Sequence, residues 1–164
     1  MGGAKFIEEP VLTTTITKDI LTVEHGVIVH QVNCQGVMGA GLAKKIADKW
    51  PMVKRDYKSC VARAETNPEF RLLGQVTVSY INENLAVASL FGQKAYGRKS
   101  GTCYTHYRYL ALALSNVRRC AQAQDQQVYL PHGSGCGLAG GDWHVVSALF
   151  EQELPDAVIW RWGD

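Results

Sequence analysis

At 164 residues the chain has the length of one domain and can bury a core without disulfide or metal staples. Its 20% of charged residues and net charge of +2 argue against a nucleic-acid groove, and its apolar runs are too short for a membrane span. The five cysteines are odd in number and dispersed, which favours a reduced cytoplasmic protein over a disulfide framework or a zinc site. We therefore expect one cytoplasmic, monomeric domain over residues 1–164, with no signal peptide, membrane segment or metal.

The first third of the chain predicts two strands followed by two helices. Residues 1–10 are expected to be a loosely held lead-in, and the β-branched residues at 11–17 predict a strand. The nearly continuous apolar run at 26–32 predicts a central strand that is buried on both faces. Apolar residues spaced by four positions predict a helix over 41–50, and Pro51 ends it and begins another helix to about residue 64.

The rest of the chain predicts a strand pair and then alternating helices and strands. Alternating apolar and polar residues predict a half-exposed strand at 74–80, which returns after a turn as a buried strand at 85–91. The remaining predicted elements are the longest helix at 105–124, a short strand at 127–130 that Pro131 breaks, a helix capped by Asp142 that runs to residue 154, and a last strand at 157–162.

Strands and helices mostly alternate from residue 26 onward, which is typical of an α/β protein. Two strand pairings are predicted to be antiparallel. One joins the two strands within residues 75–91, and the other involves the Thr-rich first strand. We therefore expect a three-layer α/β/α sandwich with a central mixed β-sheet covered by helices on both faces. Ligands bind such sheets in the crevice outside the carboxyl ends of the strands.

Three glycine-containing loops follow three of the predicted strands. We call them the first loop (residues 33–41), the second loop (92–98) and the third loop (133–141). If the strands are parallel neighbours, the loops converge on one crevice. Glycine allows close approach of the backbone to a ligand, and a helix follows the first and third loops directly, so their amides can face an anion. Alternatively, each loop is only a tight turn.

Two common phosphate-binding motifs are absent from the sequence. Lys44 occupies the position where a GxGxxG fingerprint would need its third glycine, and no Gly-Lys-Ser/Thr triplet of a P-loop occurs. These absences argue against an ordinary dehydrogenase, a kinase or an NTPase. The interpretation that remains is a phosphate-binding site built from two glycine loops.

The residues of these loops resemble the macro domain family. The resemblance is carried by the first-loop stretch NCQGVMGAGLA at 33–43, by LFGQ at 90–93 and by GCGLAGGDW at 135–143, and it runs from about Thr17 to the last residue. Within this family the chain most resembles the small single-domain branch that contains ADP-ribose 1″-phosphate phosphatases and the terminal ADP-ribose protein glycohydrolase. The resemblance implies a macro domain fold that binds ADP-ribose or ADP-ribose 1″-phosphate in a cleft on the sheet.

The resemblance also implies a role for individual residues. Asp19 and Ile20 would hold the adenine end, although Asp19 is alternatively a turn residue. Asn33, Gln93 and Tyr96 would lie near the distal ribose. The diphosphate would be wrapped by backbone amides of two groups of residues, namely Met38, Gly39, Ala40, Gly41 and Leu42, and Ser134, Gly135, Cys136, Gly137 and Leu138.

The expected activity is removal of phosphate from the 1″ position of ADP-ribose, with Asn33, Gln93 and His132 as the catalytic residues and no cofactor. Either His132 or His30 could transfer the proton, although His30 is expected to be a hydrogen-bonded residue of the core or the site wall. Cys34 and Cys136 are expected to be wall residues because no Lys or Arg stands beside either in the sequence.

Other activities stay open. The chain is alternatively a non-catalytic module that binds ADP-ribose or O-acetyl-ADP-ribose, or a hydrolase of ADP-ribosylated proteins or nucleic acids. A nucleic-acid-binding domain is a further reading, which the charge balance disfavours. The glycohydrolase that the chain resembles carries a lysine and an acid at positions where this chain has Gln93 and Ala139. Gln93 cannot form a Schiff base, and Ala139 cannot transfer a proton.

Overall fold

The computed structural model of the protein describes residues 14–162. The predicted lead-in 1–10 and residues 11–13 of the first predicted strand lie outside the described residues. The described strands are β1 (Thr14–Thr17), β2 (Gly26–Val32), β3 (Val76–Tyr80), β4 (Leu85–Phe91), β5 (Val128–Pro131) and β6 (Val158–Arg161). The described helices are α1 (Gly41–Lys49), α2 (Pro51–Thr66), α3 (Tyr107–Gln124) and α4 (Trp143–Glu153), with one 3-10 turn at Ile20–Thr22.

The six described strands form one sheet in the order β1-β6-β5-β2-β4-β3. β3 pairs with β4 antiparallel, as predicted, and the other neighbours are parallel. The antiparallel pairing predicted for the first strand is wrong, because Thr14 aligns with Val158 and Thr17 with Arg161 in a parallel register. After β1 the chain makes the 3-10 turn instead of a hairpin, so β1 pairs with a strand that is distant in sequence.

Helices cover both faces of the sheet, which confirms the mixed α/β/α sandwich. On one face Val29 and Leu90 pack with Leu110 and Leu114 of α3 and Phe150 of α4. On the other face Ile28 and Val87 pack with Ile46 of α1 and with Val53 and Tyr57 of α2. Each such side chain stabilises the fold by about 1.5–3 kcal/mol on full burial, so the two layers hold the sheet rigidly between them.

Element ends differ from the predicted ones where tertiary bonds override local preference. α3 begins at Tyr107 and not at 105, because Thr105 forms a β-bridge with Gln93. Pro131 is the last residue of β5 and aligns with Trp160, whereas the sequence predicted that it breaks the strand. A proline is tolerated at this end since no further ladder donor is needed there. Within residues 14–162 no helix combines the length and the apolar character needed to cross a membrane.

The centre of the sheet sets the position of the three loops. β2 lies between β5 and β4 and is parallel to both, so the carboxyl ends of these strands meet at one edge of the sheet. The first, second and third loops follow β2, β4 and β5 respectively. Since neighbouring strands lie about 4.8 Å apart, the loops are brought together without any further element.

Candidate functional site

The three loops enclose one cavity of about 650 Å³ at this edge of the sheet. This confirms the predicted convergence of the loops. A cavity of this volume lies within the range of about 300–1,000 Å³ that ligand sites occupy. The predicted site residues that line it are Asn33, Met38, Gly39, Ala40, Gly41, Leu42, Gln93, Tyr96, His132, Ser134, Gly135, Gly137 and Leu138.

Three predicted ligand residues do not line the cavity. The Asp19 carboxylate accepts from the Leu21 N–H at 2.9 Å and caps the 3-10 turn, so it has the turn role that was the alternative. Ile20 is buried in the core. The Cys136 thiol lies 3.3 Å from the Ser134 carbonyl oxygen. The adenine contacts of Asp19 and Ile20 stay a prediction.

The first loop is held by the Asn33 side chain and by Tyr57 of α2. Asn33 Nδ2 donates to the Val37 carbonyl at 2.8 Å, and Oδ1 accepts from the Gln35 N–H at 2.9 Å. The Tyr57 hydroxyl lies 2.7 Å from the Asn33 carbonyl oxygen and accepts from the Gly36 N–H at 3.0 Å. Asn33 therefore shapes the loop in addition to lining the cavity.

Tyr57 is a site residue that sequence reasoning missed. It sits on a helix far from the loop motifs, and its spacing is that of a core residue. Its ring is fully buried and stacks on Phe91 with 5.6 Å between ring centroids. Burial raises the pKa of Tyr57 to about 12, so the hydroxyl stays protonated and can both donate and accept.

The first loop runs directly into the N-terminus of α1. Ala40 is the N-cap residue, has an extended backbone and makes no side-chain capping bond. The N–H groups of the first turn of α1 are thus not satisfied by a cap, and residues 39–43 line the cavity. The positive end of the helix dipole and these donors favour an anion at this wall.

The third loop has three glycines with a positive φ, namely Gly133, Gly135 and Gly140. Gly135 has a φ of +72°, and its carbonyl accepts from the Thr105 hydroxyl at 2.7 Å and from the Gly141 N–H at 2.8 Å. A Cβ at Gly140 would lie 2.3 Å from the Thr102 carbonyl oxygen. Gly137 differs from both, because a Cβ there would meet no atom within 4 Å. A side chain at this position would therefore have open space at the cavity wall.

The Gln93 side chain is bound within the protein. Its Oε1 accepts from Gln31 Nε2 at 2.7 Å, and its Nε2 donates to the Ala95 carbonyl at 2.9 Å. Gln31 is a second residue that the sequence did not mark, since it stands inside a strand motif. The structure thus gives Gln93 a loop-holding role beside any contact with a ligand.

The two candidate histidines differ in accessibility. Both line the cavity, and the His132 ring packs against Trp143 in a tilted arrangement with 4.4 Å between ring centroids. Burial, together with the charge of Arg161, lowers its pKa, so the ring is neutral at neutral pH. His30 is 2% exposed, its Nε2 lies 2.7 Å from the Ser89 hydroxyl, and burial lowers its pKa to about 3. The expected hydrogen-bonded role of His30 is confirmed.

Cys34 and Cys136 were expected to be wall residues, but neither lines the cavity. Burial raises the pKa of Cys34 and of Cys136 to about 11, so both thiols are protonated and are poor nucleophiles. Asp142 Oδ1 accepts from the His144 N–H at 2.8 Å, which confirms its N-cap role on α4. Within residues 14–162 no group of three His, Cys, Asp or Glu side chains could hold a metal ion.

Trp162 and Arg98 are among the lining residues that were not predicted. Trp162, just after β6, is 42% exposed at the cavity wall, and the Lys45 ammonium lies 4.2 Å from its ring centroid. Arg98 lines the cavity at the end of the second loop. Among the described residues the lining contains no Asp or Glu, so the permanent charge on the cavity wall is that of Arg98.

No family model matches the chain. Over 102 residues it is 28% identical to the ADP-ribose 1″-phosphate phosphatase of Saccharomyces cerevisiae (strain YJM789). That match covers 61% of this chain and 55% of the yeast protein, so the chain spans about half the length of this curated relative.

Solved structures match nearly the whole chain. A protein of unknown function from Bacteroides thetaiotaomicron has a TM-score of 0.79 at 28% identity, with 92% of this chain and 96% of that one covered. A macrodomain protein from Streptomyces coelicolor has a TM-score of 0.74 at 24% identity, with 93% and 99% covered. DarTG of Thermosipho africanus, solved in complex with ADP-ribose, has a TM-score of 0.66 at 17% identity, with 85% and 38% covered.

Proposed function

Since the chain folds as a macro domain, we propose that it binds ADP-ribose in the cavity and removes phosphate from ADP-ribose 1″-phosphate. The observation that carries the proposal is the cavity wall itself. It is built from residues of two glycine loops and one arginine, and no carboxylate of the described residues lines it to oppose an anion. The similarity to the yeast phosphatase and the bound ADP-ribose of the Thermosipho protein support the same ligand class.

The proposed pose follows from the chemistry of each wall. The diphosphate lies between the N-terminus of α1, whose first-turn N–H groups have no side-chain cap, and the third loop at Gly137. The base lies toward Trp162, whose exposed indole offers an apolar face. The distal ribose then lies beside Asn33 and the second loop, so a 1″-phosphate comes within reach of Arg98.

Hydrolysis needs a nucleophile and a proton acceptor in this pose. We propose that water attacks the phosphorus atom and breaks its bond to the 1″ oxygen, which yields ADP-ribose and inorganic phosphate. Neutral His132 takes the proton of the attacking water and returns it to the leaving oxygen. Arg98 balances the charge of the phosphoryl oxygens during transfer.

The test measures phosphate release from ADP-ribose 1″-phosphate by the wild type and by His132→Gln. The proposal expects measurable turnover that falls in the variant by about 100-fold or more, with binding of ADP-ribose retained. Turnover that is unchanged in His132→Gln removes His132 from the mechanism. Absence of turnover in a wild type that binds ADP-ribose favours the binding module instead.

A hydrolase of glutamate-linked ADP-ribose is the second candidate, and Gln93 and Ala139 argue against it. Lys94 is adjacent but is not among the residues that line the cavity. We expect weak or no cleavage of glutamate-linked ADP-ribose and no lysine adduct. Both substrates are assayed side by side, and borohydride is added to trap any Schiff base. An adduct at Lys94 that disappears in Lys94→Ala would move the protein to this class.

A further inference from the structure

Gln31 lines the cavity and joins the second and third loops there. It is the next-to-last residue of β2, and its Nε2 donates to Gln93 Oε1 at 2.7 Å and to Thr105 Oγ1 at 2.9 Å. Thr105 in turn donates to the Gly135 carbonyl at 2.7 Å. Gln93 donates to the Ala95 carbonyl at 2.9 Å. We call these four hydrogen bonds the Gln31 network.

Two backbone carbonyls fix the direction of every bond in the Gln31 network. A carbonyl oxygen only accepts, so the Thr105 hydroxyl must give its one proton to Gly135 and can offer Gln31 only a lone pair. In the same way the Gln93 amide must turn its Nε2 to Ala95 and its Oε1 to Gln31. Only a group with two N–H donors satisfies both neighbours, and Gln31 supplies it.

The remaining atom of Gln31 is packed between two glycines. Its Oε1 is buried and has no hydrogen-bond partner. A Cβ at Gly92 would lie 2.6 Å from this oxygen, and a Cβ at Gly135 would lie 3.0 Å from it. Gly92 is not among the glycines with positive φ, so it is the Gln31 amide, and not the backbone, that requires a glycine there.

We infer that Gln31 is a positioning residue, which holds the second and third loops in the arrangement that binds the ligand. This inference rests on the proposed function for its ligand, ADP-ribose. The unpartnered oxygen indicates that the side chain is kept for its donors at the expense of a buried acceptor. Gln31 also lines the cavity, and its proposed action runs through its hydrogen bonds to Gln93 and Thr105.

Gln31→Glu tests the inference, because it keeps the shape of the side chain and removes its donors. An ionised carboxylate would face two acceptors, Gln93 Oε1 and Thr105 Oγ1, whereas a protonated carboxyl can donate to one of them. The Gln31 amide lies against Gln93, Thr105, Gly92 and Gly135, and none of these four has a titratable side chain. The titratable and charged side chains on the flanking segments are those of His30, Lys94, Tyr96, Arg98, Cys103, Tyr104, His106, Tyr107, His132, Cys136 and Asp142. The wild type, measured at each pH, corrects for them.

Two measurements are made from about pH 5 to about pH 8, which spans the range where a buried Glu titrates. One is ADP-ribose affinity, and the other is amide hydrogen exchange of residues 92–98 and 133–141 in the free protein. At about pH 8 we expect Gln31→Glu to bind ADP-ribose roughly tenfold more weakly than the wild type. At about pH 5 its affinity should recover toward that of the wild type. Amide hydrogen exchange in both loops should be faster than in the wild type at the pH values where the variant binds weakly.

Thr105→Val breaks the other arm of the Gln31 network and should weaken binding at every pH, whereas Thr105→Ser restores it. Equal affinity and exchange in Gln31→Glu and the wild type overturn the inference, and so does a deficit that does not change with pH. If the wild type fails to bind ADP-ribose, the proposed function fails, and loop exchange alone then decides the role of Gln31.

Discussion

Gly137 is the residue at which the cavity tolerates a new side chain most readily. Its Cβ would point into open space, and its φ is not among the positive values that penalise other residues. Gly137→Glu should therefore fold like the wild type but bring a carboxylate to the place proposed for the diphosphate. We expect ADP-ribose affinity to fall by about 100-fold or more, measured by calorimetry.

Gly137→Ala is the matched control, since it adds a Cβ without a charge and should lose little affinity. If Gly137→Glu melts at the wild-type temperature and binds ADP-ribose as tightly, the diphosphate does not lie on the third loop.

Lys99 is a matched control for Arg98, because both side chains are exposed cations and only Arg98 lines the cavity. Arg98→Ala should weaken ADP-ribose 1″-phosphate by roughly ten- to a hundredfold and ADP-ribose by much less, since only the former has a terminal phosphate. Lys99→Ala should leave both ligands unchanged. An equal loss of both ligands in Arg98→Ala would assign the arginine to the diphosphate.

At this scale the sequence predicted backbone positions better than side-chain roles. Glycine spacing identified the loops, and the N-cap role of Asp142 follows from local chemistry that a sequence displays. Tyr57 and Gln31 could not be found in this way, because their partners are distant in sequence and their own positions look like an ordinary helix and an ordinary strand. Asn33 was predicted to face a ribose, but its side chain also bonds locally to the Gln35 N–H and the Val37 carbonyl, a turn contact that was not predicted.

Helix α2 acts on the site through one hydroxyl group. Tyr57→Phe keeps the ring on Phe91 but leaves the Gly36 N–H and a nearby Asn33 oxygen without this partner. We expect a loss of about 1–3 kcal/mol in the free energy of unfolding and weaker ADP-ribose binding. Urea unfolding and calorimetry measure the two effects. Tyr80→Phe, on the exposed end of β3, is the control and should change neither quantity.

Strand β2 carries a buried histidine, His30, beside β4, and its burial disfavours protonation. His30 has a folded-state pKa of about 3, against 6.5 for the ordinary value. Between these limits the unfolded chain binds a proton that the folded protein does not, so stability falls as the pH is lowered through this window. The slope reaches about 1.4 kcal/mol per pH unit.

His30→Gln lacks this titration and can still bond to Ser89. Its free energy of unfolding should therefore depend less on pH than that of the wild type when urea melts are compared at about pH 7 and about pH 4. Parallel curves for the two proteins would mean that His30 is protonated in the folded state.

Secondary-structure elements with a long or periodic apolar pattern were predicted well. The direction of a strand was predicted less well, because it depends on the strand with which it pairs. The five inward residues of α3 follow from helical spacing alone: Leu110, Ala113, Leu114, Val117 and Ala121. The direction of β1 does not follow from its own residues, since its partner is the last strand. Strand direction is a property of the pair.

The whole molecule should be stabilised by its ligand. A ligand that binds only the folded state contributes about 2.7 kcal/mol at a hundred times its Kd, so ADP-ribose at that concentration should raise the Tm by roughly 5–10 °C. Thermal melts at rising ADP-ribose concentration measure this, with Gly137→Glu as the control that shows little shift. A Tm that does not depend on ADP-ribose in the wild type contradicts binding in the cavity.

The pairing of β1 with β6 has a consequence for the order in which the sheet can be completed on the ribosome. β1 is the first described strand to be synthesised, and its neighbour in the described sheet is the last. While the ribosome translates residues 18–157, β1 has no partner edge to join. The same last strand supplies the Trp160 carbonyl that accepts from the His132 N–H, and Trp162 follows it at the cavity wall. A nascent chain stalled before residue 158 would thus lack both a finished sheet edge and a finished binding cavity, and the two should appear together upon release.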